Sequence, residues 1–270
     1  MIAATGLQHA AGRAFDRIAD HYDELFTSTP IGQLQRDVVW AQASAIFRPG
    51  SRVLELNCGT GTDAMFLAGK GVTVTACDAS TEMIERAELR KQRQAPDAPV
   101  EFRVLANERL HELVAAPAYD GVLSNFAGLN CTANLSTVFD LLAMRLRPGA
   151  KLLLCLSTRF CVWEILHYSF QGKFRKAMRR WRGVSEASLE GRSFSVYYPT
   201  IRSLRNAFEP AFELRSVTGV GIAVPPSYLN QFMGRYPRIL EALRRFDAMV
   251  CKLPVFRVAG DHMLLHLERV

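Results

Sequence analysis

Val53-Leu54-Glu55-Leu56-Asn57-Cys58-Gly59-Thr60-Gly61-Thr62 is the stretch that decides the fold. A short apolar run enters a glycine turn, and a helix expected over 62–68 leaves it. Glycine has no Cβ, so the turn can take positive φ and its N–H groups can approach a ligand closely. Asp78 lies 21 residues beyond Asn57, at the end of the next apolar β-branched run. A carboxylate at that point can accept hydrogen bonds from ribose hydroxyls.

Outward from this turn the pattern repeats. Strands are expected over 52–56, 72–76, 100–105, 119–123 and 152–156, with helices over 62–68, 80–92 and 135–146 between them. Ser80 is the expected N-cap of the second of these helices. Strand and helix in alternation imply right-handed βαβ units and a parallel sheet covered on both faces. Before the alternation come two helices, over 12–26 and 33–47. After Ser157 the rhythm stops. Helices are expected over 159–183, then a short strand over 195–198, a helix over 200–208, a strand over 212–218, a helix over 238–250 and a last strand over 263–267.

The chain has 270 residues, 49% hydrophobic and 22% charged, with 18 Gly and 12 Pro. This composition suits one full-size α/β domain with a modest added lobe and excludes disordered and collagen-like chains. No apolar run approaches the ~20 residues of a membrane-spanning helix, and no basic residue followed by an apolar run opens the chain. The expectation is a soluble cytoplasmic protein. The six cysteines form no C-x-x-C pair, so they read as reduced buried thiols, with no metal site.

The formal charge is +7, and residues 158–205 account for it, with ten Lys or Arg against Glu164, Glu186 and Glu190. One local basic surface is expected, not a general polyanion-binding face. Within it, Lys173-Phe174-Arg175-Lys176-Ala177-Met178-Arg179-Arg180-Trp181-Arg182 places Phe174, Ala177, Met178 and Trp181 on one helical stripe among six cations. The simplest expectation is a surface helix that packs this stripe on the core. The functional alternative is a lid touching an anionic or amphiphilic substrate or a lipid surface.

The glycines alone leave the ligand open, because Gly59-x-Gly61-x-x-Ala64 also satisfies a dinucleotide fingerprint. Charge separates the two readings. Asp63 sits in the first turn of the helix and Glu55 ends the strand, and both disfavour a pyrophosphate and favour a cation. S-adenosylmethionine, with a sulfonium and an ammonium, is preferred over a nicotinamide or flavin cofactor.

These motifs resemble those of class I S-adenosylmethionine-dependent methyltransferases of the small-molecule kind. The resemblance rests on Glu55-Leu56-Asn57-Cys58-Gly59-Thr60-Gly61, Cys77-Asp78-Ala79-Ser80 with Met83, Ala106-Asn107, Tyr119-Asp120 and Ser124-Asn125-Phe126. The opening Phe15-Asp16-x-x-Ala19-x-x-Tyr22-Asp23 is similar to the family's N-terminal helix. It implies a Rossmann-like α/β fold with a mostly parallel seven-stranded sheet, helices on both faces and an antiparallel last strand. A helical arm would span 1–48, the cofactor-binding core 49–157, a basic helical insertion after the fifth strand 158–208, and the completion of the sheet 209–270. The resemblance also implies roles. Glu55 would hold the methionine ammonium, and Gly59 and Gly61 would pass close to methionine and ribose. Asp78 would bind the ribose hydroxyls, and Ala79 and Met83 would pack on adenine. Asn107 would meet the adenine amino group, Ser124 and Asn125 would lie beside the methionine, and Tyr22 would close over the cofactor. Asn57 stands where the family usually has a glycine, and of the other residues Asn tolerates positive φ well. The absence of Asn-Pro-Pro-Tyr after the fourth strand disfavours methylation of nucleobase amines.

Methyl transfer from a sulfonium needs alignment first, and a base only for a protonated nucleophile. Candidate bases are His167, Tyr168, Tyr197, Tyr198 and His262, with His167 placed first for its position after the fifth strand near Trp163 and Glu164. The sequence therefore implies methyl transfer to the O, N or C atom of a small organic acceptor, anionic or amphiphilic in character. Nucleic acid is not the expected partner, and peripheral membrane contact through 173–182 stays open. So do a non-methylating S-adenosylmethionine binder and a lipid-like acceptor at a membrane surface.

Overall fold

The computed structural model describes residues 10–113 and 118–270; residues 1–9 of the expected arm lie outside those described. Strands β1 (Arg52–Leu56), β2 (Thr73–Asp78), β3 (Val100–Val104), β4 (Tyr119–Ser124) and β5 (Leu146–Ser157) alternate with helices. With β8 (Phe212–Val220) and β9 (His262–Arg269) they form one seven-stranded sheet, in the order β3-β2-β1-β4-β5-β9-β8. The first five strands pair in parallel, and β9 runs antiparallel to both β5 and β8, as the sequence implies. The strand order reverses between β1 and β4. Their carboxyl ends splay a crevice there, and open α/β sheets bind ligands at such a switch point.

Period-two side chains bury both faces. Leu54, Leu56, Val122, Leu152 and Leu154 point to a core shared with the helices Leu135–Ala143 and Ile201–Phe208. Val53, Val74, Leu123 and Leu153 point to a second core under the helices Pro30–Ile46, Thr62–Ala68 and Thr81–Gln94. Ser80 caps the last of these as expected, its Oγ accepting from Met83 N–H at 3.1 Å. The helix expected to run to 146 ends at Ala143, because Arg145 C=O is already accepting from Tyr119 N–H in the sheet.

The arm is not one continuous helix. Tight turns at Phe15–Ile18 and Ile18–His21 interrupt it, and a π-turn over Asp23–Thr27 closes with Ser28 N–H to Asp23 C=O at 2.7 Å. Such turns re-aim side chains, and here they set Tyr22 and Phe26 against the crevice.

The insertion is a mixture of helix and sheet, which corrects the helical expectation. Helices Val162–Phe170 and Phe174–Ala177 and a 3₁₀ turn at Arg180–Arg182 are followed by a hairpin, β6 (Val184–Leu189) and β7 (Arg192–Tyr197). Glu190 and Gly191, with φ of 44° and 79°, make the two-residue turn. Alternating short polar side chains, Ser185, Ser188, Ser193 and Ser195, weaken the period-two signal on the sequence level. The expected stripe is corrected as well. The helix from Phe174 ends at Ala177, so Ala177 alone is buried, Phe174, Met178 and Trp181 face outward, and Arg180 turns inward.

Candidate active site

The glycine turn sits at the carboxyl end of β1. Asn57 takes φ of 56°, the left-handed value its sequence position called for. Gly59 has φ of 53°, and a Cβ there would meet nothing nearer than Tyr22 Cε1 at 3.8 Å, so its backbone is open to the cavity. Gly61 has another duty: a Cβ on it would come within 2.8 Å of Ala87 and Phe102, so it fits the helix onto the sheet and does not line the crevice. Asp78, at the end of β2, accepts Gly59 N–H at Oδ2 and Ser80 N–H at Oδ1, both at 2.9 Å. Burial lifts its pKa and these two N–H groups oppose the rise. Each oxygen keeps a further lone pair for a ligand hydroxyl. Ala79, Met83, Asn125 and Tyr22 complete the walls of a narrow cavity of about 80 Å³.

Behind it lies a buried charge cluster. Asp63 accepts from Arg36 at 2.5 Å, Trp40 Nε1 at 2.6 Å and Asn125 Nδ2 at 3.0 Å. Asp63 is therefore neutralised by Arg36, which revises the reading of its charge as a free field against anions. Glu55 is the acid left without a cationic hydrogen-bond partner among the described residues. It is buried, its Oε2 has no hydrogen-bond partner, and burial followed by the charge of Asp63 holds its carboxyl well above the usual range. Arg36 Nε is likewise buried without a partner. One unpaired carboxylate oxygen and one unpaired guanidinium N–H match the ammonium and carboxylate of an amino-acid moiety.

Two expected residues act indirectly. Asn107 does not line the cavity; its Nδ2 donates to Asn57 Oδ1 at 3.3 Å and Thr132 Oγ1 at 3.0 Å. Ser124 is fully buried with its Oγ 3.4 Å from Asn57 Oδ1. Both steady the left-handed Asn57, whose side chain is so close to Gly128 that a Cβ there would fall 2.2 Å from Asn57 Cβ.

Beside the first cavity lies a second, of about 400 Å³, and Phe15, Tyr22 and Phe126 border both. Phe126 and Ala127 are consecutive non-glycine residues with φ of 47° and 64°. Strain of this kind persists where packing over-determines it. The Phe126 ring is fixed edge-on to Phe26 at 4.6 Å and His262 at 5.7 Å, with the Arg36 guanidinium 4.7 Å from its centre. The Tyr22 hydroxyl has no hydrogen-bond partner among the described residues, and burial pushes its pKa up to about 12, so it stays a neutral donor.

The far wall of the second cavity holds Arg179, Arg180, Asp261, His262 and Tyr228. Glu164 accepts from Arg179 at 2.6 and 3.0 Å and from Arg180 at 2.8 Å, and Arg180 also donates to Asp261 Oδ1 at 2.8 Å. His262 Nδ1 lies 3.5 Å from Asp261 Oδ2 and has no hydrogen bond. Burial lowers the His262 pKa, the Asp261 charge only partly offsetting this, so the ring is neutral near pH 7. His167 does not reach the cavity. Its Nε2 lies 2.9 Å from Gln171, and its ring meets Tyr168 edge-on at 5.0 Å and Tyr228 at a tilt at 5.7 Å. The sequence offered His262 as a candidate base but placed it behind His167, and it missed Arg36 and Asp261, which lie far from the glycine turn along the chain. It also missed Gly12, which lets the arm pack on Ala79 C=O, where a Cβ would come within 2.7 Å.

Residues 53–149 match the family model of the methyltransferase domain. Those residues are therefore similar to a methyltransferase domain, and they include the glycine turn, Asp78 and Asn125 that border the first cavity. A demethylmenaquinone methyltransferase of Beutenbergia cavernae is 31% identical over 147 residues, 53% of this chain and 56% of that protein. A tRNA 5-carboxymethoxyuridine methyltransferase of Escherichia coli is 29% identical over 144 residues, 52% of this chain and 54% of that protein. The chain thus spans about half the length of these curated relatives. The solved structure of the 4+2 cyclase SpnF superimposes with a TM-score of 0.64 at 14% identity, covering 97% of this chain and 96% of that one, a likeness of fold.

Proposed function

We propose that this protein transfers a methyl group from S-adenosylmethionine to a small organic acceptor held in the second cavity. The observation that carries the reading is the common wall of Phe15, Tyr22 and Phe126 between a cavity suited to the donor and one suited to an acceptor. Asp78 would bind the ribose hydroxyls, Glu55 the ammonium, Arg36 the carboxylate, and Met83 and Ala79 the adenine. When bound, the donor supplies a methyl group on a positively charged sulfur, already activated for in-line displacement. The protein's own work is alignment, which contributes up to ~7–11 kcal/mol in well-oriented systems. Asn107, Ser124 and Gly61 serve this by holding the loop.

His262 is the base in this reading, and it takes the place first given to His167. It faces the acceptor cavity, it is neutral near pH 7, and Asp261, fixed by Arg180, lies on its Nδ1 side. It would take the proton that an acceptor oxygen or nitrogen loses as its bond to the methyl carbon forms. The arm serves as the cover, the core as donor site, and the 158–208 insertion as the acceptor wall. Six unpaired thiols support a cytoplasmic setting.

Calorimetric titration with S-adenosylmethionine tests the donor half, and Asp78→Ala should weaken binding at least tenfold. Release of S-adenosylhomocysteine with an acceptor separates turnover from mere binding. His262→Ala should then lower kcat by about 10²-fold or more, with donor affinity unchanged. In the parent enzyme kcat should fall as acid protonates His262, below its ordinary value of about 6.5, and the variant should lose that limb. An unchanged kcat in His262→Ala overturns the assignment of the base, and no donor binding overturns the whole reading.

A further inference from the structure

The insertion is inside out. Helix Val162–Phe170 buries Glu164, 1% exposed, and Tyr168, and it turns Val162, Leu166 and Phe170 to solvent, Phe170 at 88%. These three lie four residues apart, on one face of the helix. The next turns repeat the inversion, with Arg180 inward and Phe174 and Trp181 outward. Trp181 meets Phe160 edge-on at 5.5 Å, so the outward rings form a cluster. Soluble helices bury the apolar face, and a contiguous exposed apolar patch marks a contact surface.

The charges around this patch have one sign. Between 158 and 183 there are seven Lys or Arg and one acid, Glu164, which Arg179 and Arg180 already neutralise. Arg175 and Arg182 have no acidic partner among the described residues, Lys173 reaches only Gln171, and Lys176 lies over the Tyr168 ring. Aromatic and aliphatic side chains ringed by unpaired cations complement an anionic bilayer, whose headgroups take the cations while the rings enter the acyl boundary. A second copy of the chain would bring like charges together. A nucleic acid would take the cations and leave Val162, Leu166 and Phe170 against a polyanion.

We propose that the outer face of this insertion docks the enzyme on an anionic lipid surface. Its inner face, Arg179, Arg180, Leu189 and Phe194, walls the acceptor cavity, so docking sets that cavity against the bilayer and the acceptor class is an amphiphile held in it. Only this last step, the acceptor class, rests on the proposed methyl transfer.

The test is co-sedimentation of the full chain with vesicles of phosphatidylglycerol and phosphatidylcholine, against phosphatidylcholine alone, at low and high salt. Binding to the anionic vesicles alone is expected, weakened by salt but not abolished. Leu166→Ser/Phe170→Ser/Phe174→Ser and, separately, Lys173→Glu/Arg175→Glu/Arg182→Glu should each weaken it at least tenfold. Calorimetric affinity for S-adenosylmethionine should stay unchanged in both, which shows the variants are folded and keeps a failure of docking distinct from a failure of the donor site. No binding at low salt overturns the proposal. So does binding that the serine variant leaves intact, binding to a tRNA probe in preference to vesicles, or a self-association that the serine variant abolishes.

Discussion

In the proposed function, Glu55 ties ligand binding to proton release. Its carboxyl is buried with one oxygen unpaired and stands well above its ordinary pKa. A raised acid pKa means that the folded protein is favoured at low pH and loses that contribution as pH rises through the folded value. A cationic ammonium beside it reverses the shift and drives the proton off. Binding of S-adenosylmethionine near neutral pH should therefore release protons, seen as a binding enthalpy that varies with the ionisation enthalpy of the buffer. Glu55→Gln should lose this dependence and weaken binding. A parent protein with no buffer dependence would remove Glu55 from the ammonium site. At the same scale, Gly128 is fixed by the Asn57 side chain pressed against it. Gly128→Ala should displace the loop and cost about 2 kcal/mol or more in denaturant unfolding, since overpacking costs about 1–3 kcal/mol. Asn57, Gly59 and Asp78 were legible in the sequence because strand, turn and carboxylate follow one another along the chain. Arg36 was not, because a helical arginine 27 residues from Asp63 carries no local sign of its partner.

At the scale of elements, the arm is held by carboxylates on one face. Asp16 accepts from Ser80 Oγ at 2.5 Å and Glu82 N–H at 3.2 Å, Asp20 meets Arg86, and Asp23 accepts from Thr60 Oγ1 at 2.7 Å and Arg90 at 2.5 Å. The turns between residues 16 and 23 bring all three carboxylates to one side of the arm, where their partners lie on the helix Thr81–Gln94, its cap Ser80 and the glycine turn. The latch holds Tyr22 across a cavity of about 80 Å³, so the arm must lift for the donor to enter. Asp16→Asn/Asp23→Asn should speed donor dissociation about tenfold, as the loss of about 1.4 kcal/mol of charge-assisted bonding would, read by stopped-flow fluorescence. An unchanged rate would show that the arm is not the gate. The core strands were legible because their apolar runs are uninterrupted. The insertion was not, since its helix buries charge and exposes rings, against the rule by which apolar periodicity is read as a buried face. Its hairpin hid behind serines, and its anchor to the sheet is Arg180, a residue the periodic reading placed among solvated cations.

At the scale of the whole molecule, that anchor joins parts distant in sequence. Arg180 binds Glu164 in the insertion and both Asp261 Oδ1 and Asp261 C=O at the start of β9, all out of water. Burial would raise the Asp261 pKa, yet its neighbours, the Arg180 guanidinium among them, hold it below the ordinary range. For such an acid the stabilisation is present above the unfolded pKa and is lost as pH falls through the folded one. Removing one partner of a buried ion network leaves the others uncompensated, at a cost of about 3–5 kcal/mol. Arg180→Ala should therefore lose that much in denaturant unfolding, a large share of a stability of ~5–15 kcal/mol. Arg179→Ala should lose roughly 1 kcal/mol, because Arg179 is partly exposed and Glu164 keeps Arg180. The gap between the two variants should narrow in acid, where protonated Asp261 no longer needs a cation. Equal losses at neutral pH would mean that the insertion and the sheet are joined by packing alone, and that Arg180 does not hold the His262 side of the second cavity in place.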